Sequence, residues 1–209
     1  PQIIVVLLSG LILWQIVWRA QYEISVNLLE EMWNQNLANL FASPLRVREW
    51  MVGVFVLGIL KMLFSVSFAA LLAYIFYKTN IFSLGAYLIP FMISLMITGW
   101  AIGLIVAALI INYGMRIQTI AWTGIFLLAP FSGIYYPIST LPEWAQKVAG
   151  FLPTSYIFEG MRAIISKGQV VWGTLFISFL LNTLLLAFGI FFFIFMFQKS
   201  KEKGFARLE

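Results

Sequence analysis

The apolar residues of this chain come in blocks too long for a water-soluble core. Several runs exceed the roughly 20 residues that an α-helix needs to cross the hydrocarbon layer of a bilayer. A chain built this way has one economical solution. Its helices satisfy their own backbone hydrogen bonds and pack side by side in lipid. Composition agrees, since 62% of residues are hydrophobic and 10% charged, against about half and a quarter in soluble domains. The expected fold class is an all-α integral membrane protein, a polytopic helix bundle forming a single membrane domain over residues 1–209.

The residues that are missing narrow the chemistry. There is no Cys, no His and no Asp. Disulfides, thiolate or imidazole metal sites, Ser-His-Asp triads and His proton relays are therefore excluded. No catalytic residue and no metal site is expected, and no acidic residue is placed inside an apolar block. The net charge of +5 reads as basic loops and contact with anionic headgroups rather than as a nucleic-acid surface. The chain opens at Pro1 and is apolar at once, without the basic leader of a signal peptide. It is expected to be a fragment or processed chain, truncated at its N-terminus.

Five spans are predicted. They cover about residues 3–18, Trp50–Tyr77, Ser83–Ile111 with a kink at Pro90, Thr119–Tyr135 and Val170–Phe197. Trp14, Trp18 and Arg19 read as a membrane exit. With the C-terminus in the cytoplasm, Arg19, Arg46, Arg48, Arg116, Lys199, Lys201, Lys203 and Arg207 lie inside, against Lys78, Lys147, Arg162 and Lys167 outside. The positive-inside rule selects that orientation. It starts an odd number of spans outside, so six spans are expected in the full protein.

Two connections are too long for turns. In the cytoplasmic segment 22–49, Leu28, Leu29, Met32, Trp33, Leu37, Leu40 and Phe41 recur at steps of three and four, opposite Glu30, Glu31 and Asn34. That pattern predicts an amphipathic helix on the membrane surface or against a partner. Ser43-Pro44 is read as an N-cap and first helical residue. In the external segment 136–169, Pro137, Pro142 and Pro153 break the chain. Thr140 to Glu143 has capping-box spacing for a short helix ending near Gly150. A second helix is predicted over about Thr154–Ser166 with Gly168 past its end. Both are too greasy for a free loop and too short to span, which suits outer-leaflet re-entrant helices. Residues 198–209 form a basic cytoplasmic tail.

Residues 28–45, Leu-Leu-Glu-Glu-Met-Trp-Asn-Gln-Asn-Leu-Ala-Asn-Leu-Phe-Ala-Ser-Pro-Leu, form one motif. Ser132-Gly133-Ile134-Tyr135-Tyr136-Pro137, Leu141-Pro142, Leu152-Pro153 and Glu159-Gly160-Met161-Arg162 form another. Together, in this order, they resemble the permease subunits of type-2 ABC exporters. The resemblance implies a second permease copy, as homodimer or close paralogue. It also implies a separate nucleotide-binding ATPase subunit, which would carry the ATP and Mg, while this chain binds no cofactor. No Gly-x4-Gly-Lys-Ser/Thr phosphate loop occurs here. The work expected of the chain is alternating access in a cell (plasma or inner) membrane. The rival readings are an ion-coupled secondary carrier and a non-transporting membrane scaffold.

The candidate sites follow. Glu30, Glu31, Trp33, Asn34, Arg46, Arg48 and Arg116 are placed at the coupling surface for the ATPase. The competing reading makes the same helix a lipid anchor, against which Glu30 and Glu31 argue, because anionic lipid repels them. Pro137, Pro142, Pro153, Glu159 and Arg162 are assigned to an external gate, with the prolines setting shape. Lys61 is an intramembrane charge, functional by default, or else snorkelling or held by a neighbouring helix.

Overall fold

The computed structural model describes residues 2–36, 44, 46–78, 80–168 and 172–202. Its long helices are α1 (Gln2–Trp33), α2 (Val47–Tyr77), α3 (Leu88–Tyr113) and α7 (Trp172–Glu202). Among the described residues these four are long and apolar enough to cross a membrane. Between α3 and α7 lie the short helices α4 (Gln118–Thr123), α5 (Glu143–Ala149) and α6 (Pro153–Lys167). No strand occurs among the described residues.

The buried helix α3 is the centre of the bundle, packed against α1 on one side and α7 on the other, with α2 leaning on α1. Lipid tails give helices no hydrophobic reason to associate, so close backbone approach and interhelical hydrogen bonds must hold them. Both are present. Gly99 and Gly103 of α3 face α1. A Cβ on Gly99 would stand 2.5 Å from Ala20 Cβ and 2.6 Å from Val17 O, and one on Gly103 would stand 3.0 Å from Gln21 O. On the other side, a Cβ on Gly189 of α7 would come within 2.8 Å of Ala101 O. A buried polar network adds to this contact. Asn182 Nδ2 donates to Ser94 O at 2.9 Å and to Ser94 Oγ at 2.8 Å, while Thr98 Oγ1 donates to Asn182 Oδ1 at 2.7 Å. A side chain at Gly99 would push against the Ala20 Cβ and the α1 backbone, none of which can rotate away, so Gly99→Leu is expected to destabilise the bundle by about 3 kcal/mol or more. Loss of monodisperse protein on size-exclusion chromatography is the readout, with Gly53→Leu as control, because nothing lies within 4 Å of a Cβ at Gly53.

Several expectations need correction. The first helix does not stop at Trp18 but runs unbroken to Trp33. Trp14 is buried and Arg19 donates to Ser65 Oγ at 3.2 Å, so neither marks an exit. Consequently residues 28–33 are the end of α1, not a separate surface helix. Leu28, Leu29 and Met32 are buried in a core cluster with Ile110, Ile111 and Phe193, so the apolar stripe is covered by protein. Leu37, Leu40, Phe41 and Ser43 lie outside the described residues. Helix α2 starts three residues later than the Ser-Pro reading places it, capped by Arg46, whose N–H donates to the Glu49 carboxylate at 2.8 Å.

Pro90 makes no kink, because it sits in the first turn of α3, where its missing N–H costs nothing. The break is at Gly85, with φ 58, inside the 3₁₀ segment Ile81–Tyr87 that precedes α3. The segment expected as a fourth span is not one helix. After the 3₁₀ turn Gly114–Ile117 it consists of α4 and the 3₁₀ pieces Gly124–Leu127 and Ala129–Phe131. Gln21 of α1 holds it, donating from Nε2 to Ala121 O at 3.0 Å. The Thr140 capping box is absent too. Pro142 occupies the N-cap position of α5, and Thr140 Oγ1 donates to Pro137 O at 2.7 Å. The two short helices are where the prolines and glycines place them, and Gly168 ends α6 at φ 63.

Candidate functional site

Three groups of polar residues stand out in an otherwise apolar bundle. The first gathers at the end where α1 finishes. Glu30 is exposed there, and the Glu31 carboxylate accepts from Asn36 Nδ2 at 2.7 Å. Trp33 reaches across to α4, with Nε1 donating to Gln118 Oε1 at 3.3 Å and its ring stacked on Trp122 at 6.3 Å. Asn34 lies in the exposed turn after α1, and Arg116 is exposed in the 3₁₀ turn just before α4. Arg46 and Arg48, at the start of α2, line a cavity of about 510 Å³ with Gln198 and Lys201 of α7. Ser200 ties α7 to the same end, donating to Ile111 O at 2.8 Å. Thus the seven residues assigned to coupling come from three separate stretches and share one end of the molecule.

The second group staples the 133–138 loop to α6. Glu159 Oε1 accepts from the Ile138 N–H at 2.8 Å and from Arg162 Nη1 at 3.1 Å, and Arg162 Nη2 donates to Gly133 O at 2.7 Å. The pair therefore fixes both ends of a tight turn whose Gly133 has φ 73. An exposed i,i+3 pair is worth little. This one is half-buried and satisfies backbone groups that would otherwise lack partners. Pro137 and Pro142 stand in extended backbone ahead of the Ile138–Thr140 turn and of α5. Pro153 is buried at the first position of α6, and its carbonyl accepts from Ser178 Oγ at 2.9 Å.

The third group is one that the sequence reading half misses. Lys61 has a partner. Its Nζ lies 2.5 Å from Oε1 of Glu23, whose side chain is only 2% exposed. The expectation that no acid lies within a span is thus overturned, and Lys61 is held by the neighbouring helix α1. Helices α1 and α2 are antiparallel neighbours, so Arg19 opposite Ser65 and Glu23 opposite Lys61 form two successive polar rungs. Asn27, one turn further along α1, donates to Glu23 Oε1 at 2.9 Å. A Cβ at Gly58 would stand 3.6 Å from Glu23 Cγ, so the glycine leaves the room that lets the acid lodge between the helices. The signal available in the sequence was the i,i+4 spacing of Arg19, Glu23 and Asn27 within one uninterrupted helix.

Among the described residues no cluster of three metal-ligating side chains occurs.

Comparison with known proteins agrees with this architecture. The family profile described as ABC-2 type transporter matches residues 2–166. Over 78 residues the chain is 35% identical to the linearmycin resistance permease protein LnrN of Bacillus subtilis (strain 168), an alignment covering 36% of this chain and 20% of that protein. The chain thus matches about a fifth of the length of that curated relative. A helical bundle with membrane-length helices, carrying a family match over most of its length, leads to one conclusion: the chain belongs to the ABC-2 type transporter family.

Proposed function

We propose that this chain forms the translocation pathway of an ATP-driven exporter, with ATP and Mg held by a separate nucleotide-binding subunit and a second permease copy completing the pathway. The observation that carries this reading is the continuity of α1. One helix joins the exposed Glu30 end to the polar rungs at Arg19 and Glu23, deep in the bundle. A docked ATPase would therefore act on the membrane interior through a single element. The end bearing Glu30, Arg46, Arg116 and Lys199 is cytoplasmic in this reading, and residues 136–169 lie outside. Residues 118–135 serve as the fifth span despite their broken helix. Irregular backbone at membrane depth is tolerated where protein shields it, and Gln21 supplies one such contact.

The orientation is directly testable, because there is no native Cys. Cysteines at Asn34 and Lys199 are expected to react with an impermeant thiol reagent only after cells are opened, and one at Ser139 to react in intact cells. Ser200 is unsuitable because it is buried against Ile111. Labelling of Asn34 from outside would overturn the assignment. The energetic reading is tested by reconstituting the chain with its ATPase, where export must require hydrolysable ATP.

A further inference from the structure

Among the described residues, the α1–α2 contact holds two cations, Arg19 and Lys61, and one carboxylate, Glu23. Glu23 is spent on Lys61, and no carboxylate pairs with Arg19, which lies 5.9 Å from the centroids of the Trp18 and Tyr22 rings. The cluster therefore keeps one surplus positive charge. It is also open to the outside of the bundle, since Arg19 is half-buried and the Lys61 side chain is 52% exposed. Lys61 is about 16 Å along its helix from Trp50, well inside the apolar stretch. The Glu23 carboxylate pins its ammonium inward, so it does not stretch to the headgroup layer. A net cation at this depth is expensive and marks function by default.

The cluster does not stand alone. One helical turn beyond Arg19 and Ser65, the same α1–α2 contact opens into a groove of about 260 Å³, lined on α1 by Leu8, Leu11 and Gln15 and on α2 by Ala69, Leu72 and Phe76. The groove is mainly apolar, with Gln15 and Tyr77 as its polar members, and Gln15 stands one turn from Arg19. A mainly apolar trough with surplus positive charge one turn beyond it is complementary to a molecule with an acidic head and an aliphatic tail.

We propose that this groove and the Arg19–Lys61 patch bind an anionic lipid drawn from the inner leaflet, its phosphate on the cations and one acyl chain in the trough. The proposal rests on the exporter reading and its orientation, in which the trough runs from the patch toward the outer face. An inner-leaflet lipid points its chains that way, so it needs only to be raised along α1. Second copies of this chain meeting here about a two-fold axis would set the same positive patch against itself, which charge complementarity disfavours.

The test uses the complete transporter with its ATPase in nanodiscs. It is loaded with phosphatidylglycerol or phosphatidylcholine bearing a photoactivatable diazirine at the chain end. Phosphatidylglycerol is expected to label the peptides around Leu11 and Leu72 about tenfold more than phosphatidylcholine, the scale of one charge-assisted contact. Arg19→Gln should remove that preference, Arg19→Lys should retain most of it, and Leu72→Trp should lower labelling by filling the trough. Equal labelling by the two lipids would mean ordinary boundary lipid and overturn the proposal. Charge selectivity unchanged in Arg19→Gln would overturn it as well. So would an efficient crosslink from a cysteine at Leu72 to a second protein chain, because the trough would then be covered by protein. The exporter reading fails separately. Selective labelling without ATP-dependent transport keeps the site and sinks that reading, and transport without selectivity does the reverse.

Discussion

Replacing Glu23 with Leu is expected to cut the yield of folded transporter by tenfold or more. The substitution leaves the ammonium of Lys61 facing apolar surroundings with no counter-charge. Breaking a buried pair by removing one partner costs about 3–5 kcal/mol, and insertion measurements put a lone cation at a helix centre in lipid near 3 kcal/mol. Water screening gives little relief here, because the exposure of Lys61 is to the outside of an apolar helix. Most of the loss should be recovered by adding Lys61→Met, which removes the stranded charge and keeps the side-chain volume. Thermal stability by size-exclusion chromatography of the wild type, both single variants and the double variant closes the cycle. A Glu23→Leu protein as stable as wild type would show that the ion pair contributes nothing. A double variant no better than the single would assign the defect to packing around Gly58 instead.

Reversing the charges at Glu30 and Glu31 should have the largest effect on activity. Glu30 is exposed, and the Glu31 carboxylate accepts a hydrogen bond from Asn36 in the adjoining turn. The buried side of this last turn of α1 is already occupied by Leu28, Leu29 and Met32. The carboxylates therefore point toward whatever docks on the end of the molecule. Charge reversal at an interface both removes attraction and adds repulsion, which amounts to several kcal/mol, about 2–5. Glu30→Lys with Glu31→Lys is expected to abolish transport and to lower recovery of the ATPase in a pull-down by more than about tenfold, at unchanged membrane expression. Wild-type recovery and transport in that variant would remove this end from the coupling surface.

The sequence carried the bundle, the positions of α2 and α7 but not all of their ends, and the two short helices near Pro142 and Pro153. These depend on long apolar runs and on Pro and Gly, whose effects are local. It did not carry the length of α1. Trp18 and Arg19 look like an interface because such residues usually are one, and only the packing of α1 on α2 shows Arg19 half-buried and donating to Ser65. That one misplacement moved Glu23 into a loop and left Lys61 without its partner. The Gly99-x-x-x-Gly103 spacing is plain in the sequence, but spacing alone does not say which helix it meets. The break in residues 118–131 was equally unreadable, since its residues are as apolar as those of a regular span and the hydrogen bond from Gln21 to Ala121 O is a contact between positions far apart in the chain. The coupling and gate candidates were legible as motifs, whereas their assembly at single ends of the molecule is a property of the tertiary fold.

The tight seat of α1 on Gly99 and Gly103 fixes a fulcrum. The helix is pinned there at Val17, Ala20 and Gln21, with a packed arm on either side. Measured from Ala20, Trp33 lies about 20 Å away and Ile4 about 24 Å on the opposite side. Side-chain layers slide, but a glycine contact against backbone permits tilt more readily than translation. A push that moves the Trp33 end by about 3 Å would then swing the Ile4 end about 4 Å the other way, by the ratio of the arms. The two mouths of the pathway would move in antiphase about a stationary middle, and the charged rungs at Arg19 and Glu23 would turn in place next to the pivot.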